Sequence, residues 1–282
     1  MTLTEYTAAQ AAITAALVRL VLAVLLPFRF VPLTPLAWLG ILRSIYPSVV
    51  EARRQTAILA RAFYDAKRVE HVGEATHPVD LPWYDFAWLE EALRPAEKHF
   101  GNGEDNQGAI IISALRVAKE VENAGRKLLI KGAQSDPFGV RWARVATGKE
   151  TCAFCLMLVS RGAVYLDADT AGFKGAQTDA FDLGLNLMAA RRNNRLSPSA
   201  DNAALLDDAN SAFKKLMVKW HPGCDCKVVP VFDVNDWEGR EEADAAYELW
   251  KQVTKGHEDA LNALRRAVDR GQVNPADFAA AA

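Results

Sequence analysis

Four cysteines in two tight pairs are the residues of this chain best suited to chemistry: Cys152-Ala153-Phe154-Cys155, then His221-Pro222-Gly223-Cys224-Asp225-Cys226. The chain has no other cysteine. The second cluster follows the first by about 65 residues, so a fold must bring them together if they act as one site. Zinc in proteins favours four thiolate or imidazole ligands in a tetrahedron, and C-x2-C supplies two of them from one tight turn. His221, Cys224 and Cys226 add three more candidates within six residues. An all-thiolate site leaves His221 for hydrogen bonding. A site of three thiolates and one imidazole leaves one thiol free. Pro222 and Gly223 give the turn before the thiols a reason to be tight. Zinc, in a structural role, is therefore the cofactor these residues suggest.

Other readings of the same thiols stay open: one or two disulfides, or reduced core cysteines. Nucleophilic catalysis would need a base within hydrogen-bond reach and an orienting acid. Cys152 or Cys155 with His221 and Asp225 could be drawn that way, but nothing in the spacing selects that set. Ser160, in Val159-Ser160-Arg161-Gly162, is not a G-x-S-x-G elbow. No H-E-x-x-H, Walker loop or G-x-G-x-x-G occurs. The catalytic residues, if any, cannot be named from the sequence.

Composition narrows the class. The chain has 282 residues, half of them hydrophobic and 24% charged, which suits a packed core and excludes a disordered chain. The net charge of −2 gives no general attraction to nucleic acid, so DNA contact is not indicated. Residues 1–70 carry eight Lys/Arg against four Asp/Glu, and residues 234–282 carry six against ten. The front is mildly basic and the tail acidic. Ala8 to Leu42 is apolar, but Arg19, Arg29 and Arg43 cut it into charge-free runs of 13 residues or fewer. A membrane span wants ~18–20 apolar residues in succession. Neither a signal peptide nor an anchor is expected, and no membrane role. A reducing cytosol then favours metal over disulfide.

The periodicity predicts mostly helix. Thr4 to Leu26 reads as a helix capped by Thr4 and ended by Pro27, followed by a proline-rich connector. Further helices are expected over Pro35–Ile45, Ser48–Glu70, Trp83–Phe100 and Asn106–Lys131, with a loop at 71–83 holding His71 and His77 as polar surface. From Arg141 the texture changes. Val164–Leu166 and Lys227–Phe232 lean to β, 167–202 reads as a long polar excursion with a solvated Arg191-Arg192-Asn193-Asn194-Arg195 cluster, and Asp201–Met217 as helix. After Phe232 the helix pattern returns. Asn235 is a candidate cap with Glu238 three residues on. Ala243, Tyr247, Trp250 and Val253 form an apolar stripe, His257–Arg270 a last helix, and the end after Asn274-Pro275 looks frayed. The expected fold class is mostly α with a small α+β module. It divides into a helical, partner-facing N-terminal region (1–140), a thiol-rich module (141–232) and an acidic helical tail (233–282).

The stretch Arg141-Trp142-Ala143-Arg144 through Cys152, Cys155 and Ser160-Arg161-Gly162 to Tyr165, followed by His221-Pro222-Gly223-Cys224-Asp225-Cys226 running into Pro230-Val231, resembles the MuF-like minor head proteins of tailed bacteriophages, and more closely their actinobacteriophage branch. The likeness covers about residues 141–232. It implies a role in head morphogenesis, with the protein entering the prohead in few copies, bound to portal and near major capsid or scaffolding protein. The implied locations are the host cytoplasm during assembly and the capsid interior of the virion. Proteins of this branch are labelled minor capsid protein or capsid maturation protease, so a protease acting on head proteins is the alternative. No catalytic set carries over residue by residue. The motif residues look instead like a metal or structural cluster of Cys152, Cys155, Cys224 and Cys226, with His221 a fifth candidate.

Overall fold

The computed structural model describes residues 1–74, 77–81, 83–100, 105–147, 151–163, 199–201, 204, 223–224 and 226–280. The chain forms two compact units, residues 1–164 with 222–282, and residues 165–221. Nearly all described residues belong to the first. The expected Val164–Leu166 strand, the Arg191 cluster, the Asp201–Met217 helix as a whole, His221 and Asp225 lie outside the described residues.

Helix α1 spans Leu3–Leu25. Its cap is Thr2, not Thr4: the Thr2 hydroxyl accepts from Glu5 N and the Glu5 carboxylate accepts from Thr2 N, a reciprocal capping box. Helix α2 runs unbroken from Pro35 to Val72, 38 residues, where two helices were expected. Thr34 caps it, and Gly73 closes it in the left-handed conformation at φ 80°. Pro47 sits inside it on the exposed side. A proline there lacks an N–H and crowds the preceding turn. The apolar seam of Trp38, Ile41, Leu42, Ile45, Val49 and Ala52 nevertheless continues across it. Packing along that seam outweighs the local break.

Helix α3 (Phe86–Glu97) is shorter than expected because Asp85 caps it, accepting from Ala87 N. Helix α4 (Gln107–Ser135) lies at the centre of this layer and packs on α1, α2 and α3. Its start meets the end of α1, where the Asn106 amide donates to the Phe28 and Val31 carbonyls. Further along, Gly125 faces Tyr6 and Gln10 of α1 and Thr56 of α2. Helices α1 and α4 are therefore antiparallel. A Cβ at Gly125 would stand 2.8 Å from the Tyr6 hydroxyl and 3.1 Å from Thr56 Cγ2. Only glycine lets the three helices come this close. Buried ion pairs tie α2 to α4 and the turn after it: Arg53 with Glu120, and Arg68 with Asp136, which also accepts from the Tyr64 hydroxyl.

Strand β1 (Arg141–Val145) pairs antiparallel with β2 (Lys227–Val231), Trp142 opposite Pro230 and Val145 opposite Lys227. The second strand was expected and the first was not. A two-stranded sheet tolerates Pro230, since each strand has a free edge. Helix α5 (Ala153–Val159) packs on β1 and on two C-terminal helices, α6 (Arg240–Thr254) and α7 (Ala260–Asp269). Their shared core holds Leu156, Met157, Leu158, Val159, Ala243, Ala246, Leu264 and Ala267. Of the expected apolar stripe, Ala243 is buried and Trp250 and Val253 pack against this core, whereas Tyr247 is exposed and Ala246 is buried beside it. Asn235 does not cap α6. Its own N–H donates to Asp233 in a turn, and Gly239 precedes the helix. The stretch expected to fray is docked as far as Ala280: Pro275–Phe278 forms a 3-10 turn, and Ala280 N donates to Ala146 O just after β1. Leu3 N and Lys67 both contact the Glu238 carboxylate, fastening the start of α1 to the approach to α6. The fold class is mostly α with a small α+β module.

Candidate metal centre

The two halves of the cysteine pattern arrive on different elements. Cys152 is the N-cap of α5, and its Sγ accepts from Cys155 N at 3.4 Å. That bond turns the chain sharply, so Cys155 follows one helical turn later with its thiol on the same side. The C-x-C half lies just before β2. Gly223 adopts φ 80°, a left-handed turn that residues with side chains rarely adopt. Cys226 leads directly into Lys227, the first residue paired with β1. The register of the sheet thus sets where the second half stands.

Three sulfurs converge. Cys155 Sγ lies 3.2 Å from Cys224 Sγ and 3.4 Å from Cys226 Sγ, and Cys224 and Cys226 are 2.9 Å apart. All three residues are buried and all three are free thiols. The separations are well beyond the ~2.05 Å of a disulfide. Four thiolates at ~2.3 Å around zinc stand about 3.8 Å from one another, so a modest outward shift would admit an ion. Cys152, partly exposed, flanks this trio beside Cys155.

Basic groups surround the sulfurs. Arg126, on α4 and 1% exposed, donates through Nη2 to the backbone carbonyls of Cys224 (3.0 Å) and Cys226 (3.2 Å) and to Glu122 (2.7 Å). Lys227 also pairs with Glu122. Arg144, in β1 and fully buried, directs Nη1 toward Cys226 Sγ at 3.8 Å. The thiols share protons unevenly. Cys224 is held well below the usual thiol range, mainly because Cys155 and then Cys226 donate S–H to it, with the Arg126 charge adding to the effect. Cys155 is pushed up, first by its hydrogen bond with Cys152 and then by those with Cys224 and Cys226. Cys226 is pushed up to about 12, first by burial.

Such a cluster can hold a metal ion, since the thiols would ligate as thiolates and are enclosed as structural sites are. Among the described residues no histidine or carboxylate joins it. His71 stacks on Phe232, and His77 bonds the Ser135 hydroxyl. Ser160 donates to Met157 O at the end of α5 and is buried there. Sequence reading identified all four cysteines but passed over Arg126, Glu122 and Arg144.

A protein-family model described as VG15 protein matches residues 1–182, which reach from α1 through α5. Gene 15 protein of Mycobacterium phage L5 is 34% identical over 304 aligned positions, covering 100% of both chains. Gene 15 protein of Mycobacterium phage D29 is 34% identical over 267 positions, covering 87% of this chain and 90% of the relative. No solved structure matches the chain. This chain belongs to the VG15 protein family, and it is a bacteriophage protein.

Proposed function

We propose that this protein is a MuF-like minor capsid protein acting in head morphogenesis, with zinc as a structural ion at its thiol cluster. The observation that carries the reading is the meeting of Cys155 with Cys224 and Cys226, which joins the two halves of the cysteine pattern that resembles MuF-like head proteins. Membership of a phage family supplies the setting. Cys152, Cys155, Cys224 and Cys226 are the residues that would hold the ion, with His221 the remaining candidate. The ion would cross-link α5 to the approach to β2 and contribute folding energy directly.

The partner-facing surface is assigned to the apolar end of the helical layer. Leu26, Phe30, Val31, Leu36, Ile111 and Leu115 are exposed there, Leu36 by 78% and Phe30 by 64%. Portal, with major capsid or scaffolding protein, is the proposed partner. Patches of this kind on soluble proteins mark interaction sites. Leu3–Phe28 is long and apolar enough to cross a membrane by length and composition. A protein partner is favoured because Arg19 stands exposed midway along it.

The test is mass spectrometry of purified virions and proheads, with mapping of the major capsid protein's termini. A few intact copies per virion beside an unprocessed capsid protein is the expected result. Loss of this protein from mature virions together with a shortened capsid protein would transfer the assignment to a capsid maturation protease.

A further inference from the structure

The five candidate ligands leave one to spare, and the surroundings of the sulfurs distinguish among them. We propose that the centre is all-thiolate, held by Cys152, Cys155, Cys224 and Cys226, and that Arg126 is the positioning residue that presents its C-x-C half. This rests on the metal reading above.

Three observations carry it. First, the Cys152 sulfur accepts from Cys155 N, so the first pair is already folded with both sulfurs at the start of α5. Second, one guanidinium nitrogen of Arg126 holds two carbonyls of the second pair, those of Cys224 and Cys226, while Glu122 anchors the same nitrogen from the previous turn of α4. A backbone held at two successive alternate carbonyls cannot swing either thiol away without breaking a buried charged hydrogen bond. Such bonds are roughly twice as strong as neutral ones. Third, the cations directed at the site favour anionic ligands. Arg144 is aimed at Cys226 Sγ, and Arg126 lies against the loop that carries both downstream thiols. Each thiolate brings a negative charge that these guanidinia stabilise, and an imidazole brings none.

The test uses the full chain, reconstituted with cobalt and with zinc. The S-to-Co(II) charge-transfer band counts bound thiolates. Wild type and His221→Ala should give the same band, and Cys152→Ser should lose about a quarter of it. Arg126→Met keeps the apolar stem but donates to neither carbonyl nor to Glu122. It should keep its helical circular dichroism while losing zinc to a competing chelator ~10–100-fold more readily, the usual cost of removing an outer partner of a metal ligand. A weaker band in His221→Ala with an unchanged band in Cys152→Ser would overturn the all-thiolate assignment. Undiminished zinc affinity in Arg126→Met would overturn the positioning role. The cysteine and histidine variants decide the ligand set even where Arg126→Met does not fold. Wild-type protein that takes up neither metal would overturn the zinc reading itself, a result separate from either of these.

Discussion

Between α1 and α4 the core is built from large side chains, among them Tyr6, Phe63, Tyr64, Leu89 and Leu93, set on helices of up to 38 residues. Around α5 it is built largely from alanines, leucines and valines, on short helices of 7, 15 and 10 residues beside two 5-residue strands. The two regions therefore reach stability differently. Long amphipathic helices bury enough apolar area to stand on packing alone. The two-stranded sheet and the two-turn helix that carry the thiols do not by themselves, since isolated ladders of that size are marginal in water. The thiol cluster sits where the second region needs a cross-link, and Arg126 reaches it from the first.

The largest expected effect separates the two regions. Under the proposed zinc reading, Cys226→Ser or a chelator should lower the melting temperature by about 10 °C or more, because a structural ion contributes folding free energy outright and each kcal/mol is worth ~2–4 °C in a chain of this size. Hydrogen exchange read by mass spectrometry should show α5 and β2 losing protection while α2 and α4 keep theirs. Equal loss in both regions would mean that they fold as one cooperative unit and would break the comparison.

The next effect lies in the helical layer. Asp136→Ala removes the acceptor shared by Arg68 Nε and the Tyr64 hydroxyl, leaving Arg68 only Glu74, and should cost ~3–5 kcal/mol in chemical denaturation. The Asp136 pKa is lowered. Burial opposes the charged form, but the hydrogen bonds from Arg68, Phe138 N and Tyr64 together outweigh it. A depressed carboxyl stabilises the fold above its unfolded pKa of ~3.9, and that contribution is lost as pH falls through the lower folded value. Stability should thus decline below about pH 4 in wild type. Asp136→Asn should flatten that decline, and an unchanged slope would assign it to other carboxylates.

Gly125→Ala should cost ~1–3 kcal/mol, the usual price of forcing a methyl into a filled contact. Its signature would be loss of α1 protection with the thiol region untouched. The smallest effect is expected at the edge. Thr2→Ala removes the capping box and should cost ~1 kcal/mol, seen as fraying of the first turn of α1.

The helices were legible wherever apolar residues recur with helical spacing, as in α4. Their ends were less so, because caps depend on one hydrogen bond: Thr2 and Thr4 are equally good candidates by type, and only backbone geometry selects Thr2. Pro47 misled because the rule for proline is local, whereas the seam that overrides it is the sum of contacts with α4 and α1. Strand β1 was missed for a related reason. Arg141-Trp142-Ala143-Arg144-Val145 has no alternation of its own, and all but Arg141 is buried once β2, α4 and α5 cover it.

What the sequence determined by itself is the mostly helical class and the four thiols with their two spacings, since both are written in residue types at short range. The tertiary structure decided which thiols meet. Cys155 and Cys224 are separated by 69 positions, and their approach depends on the register of β2 against β1 and on Arg126 reaching from α4. Those are long-range constraints, and no local pattern of residues encodes them. Buried charge shows the same division. Arg126 and Arg144 read as ordinary surface cations along the chain, and they become part of a site only where the fold encloses them beside sulfur.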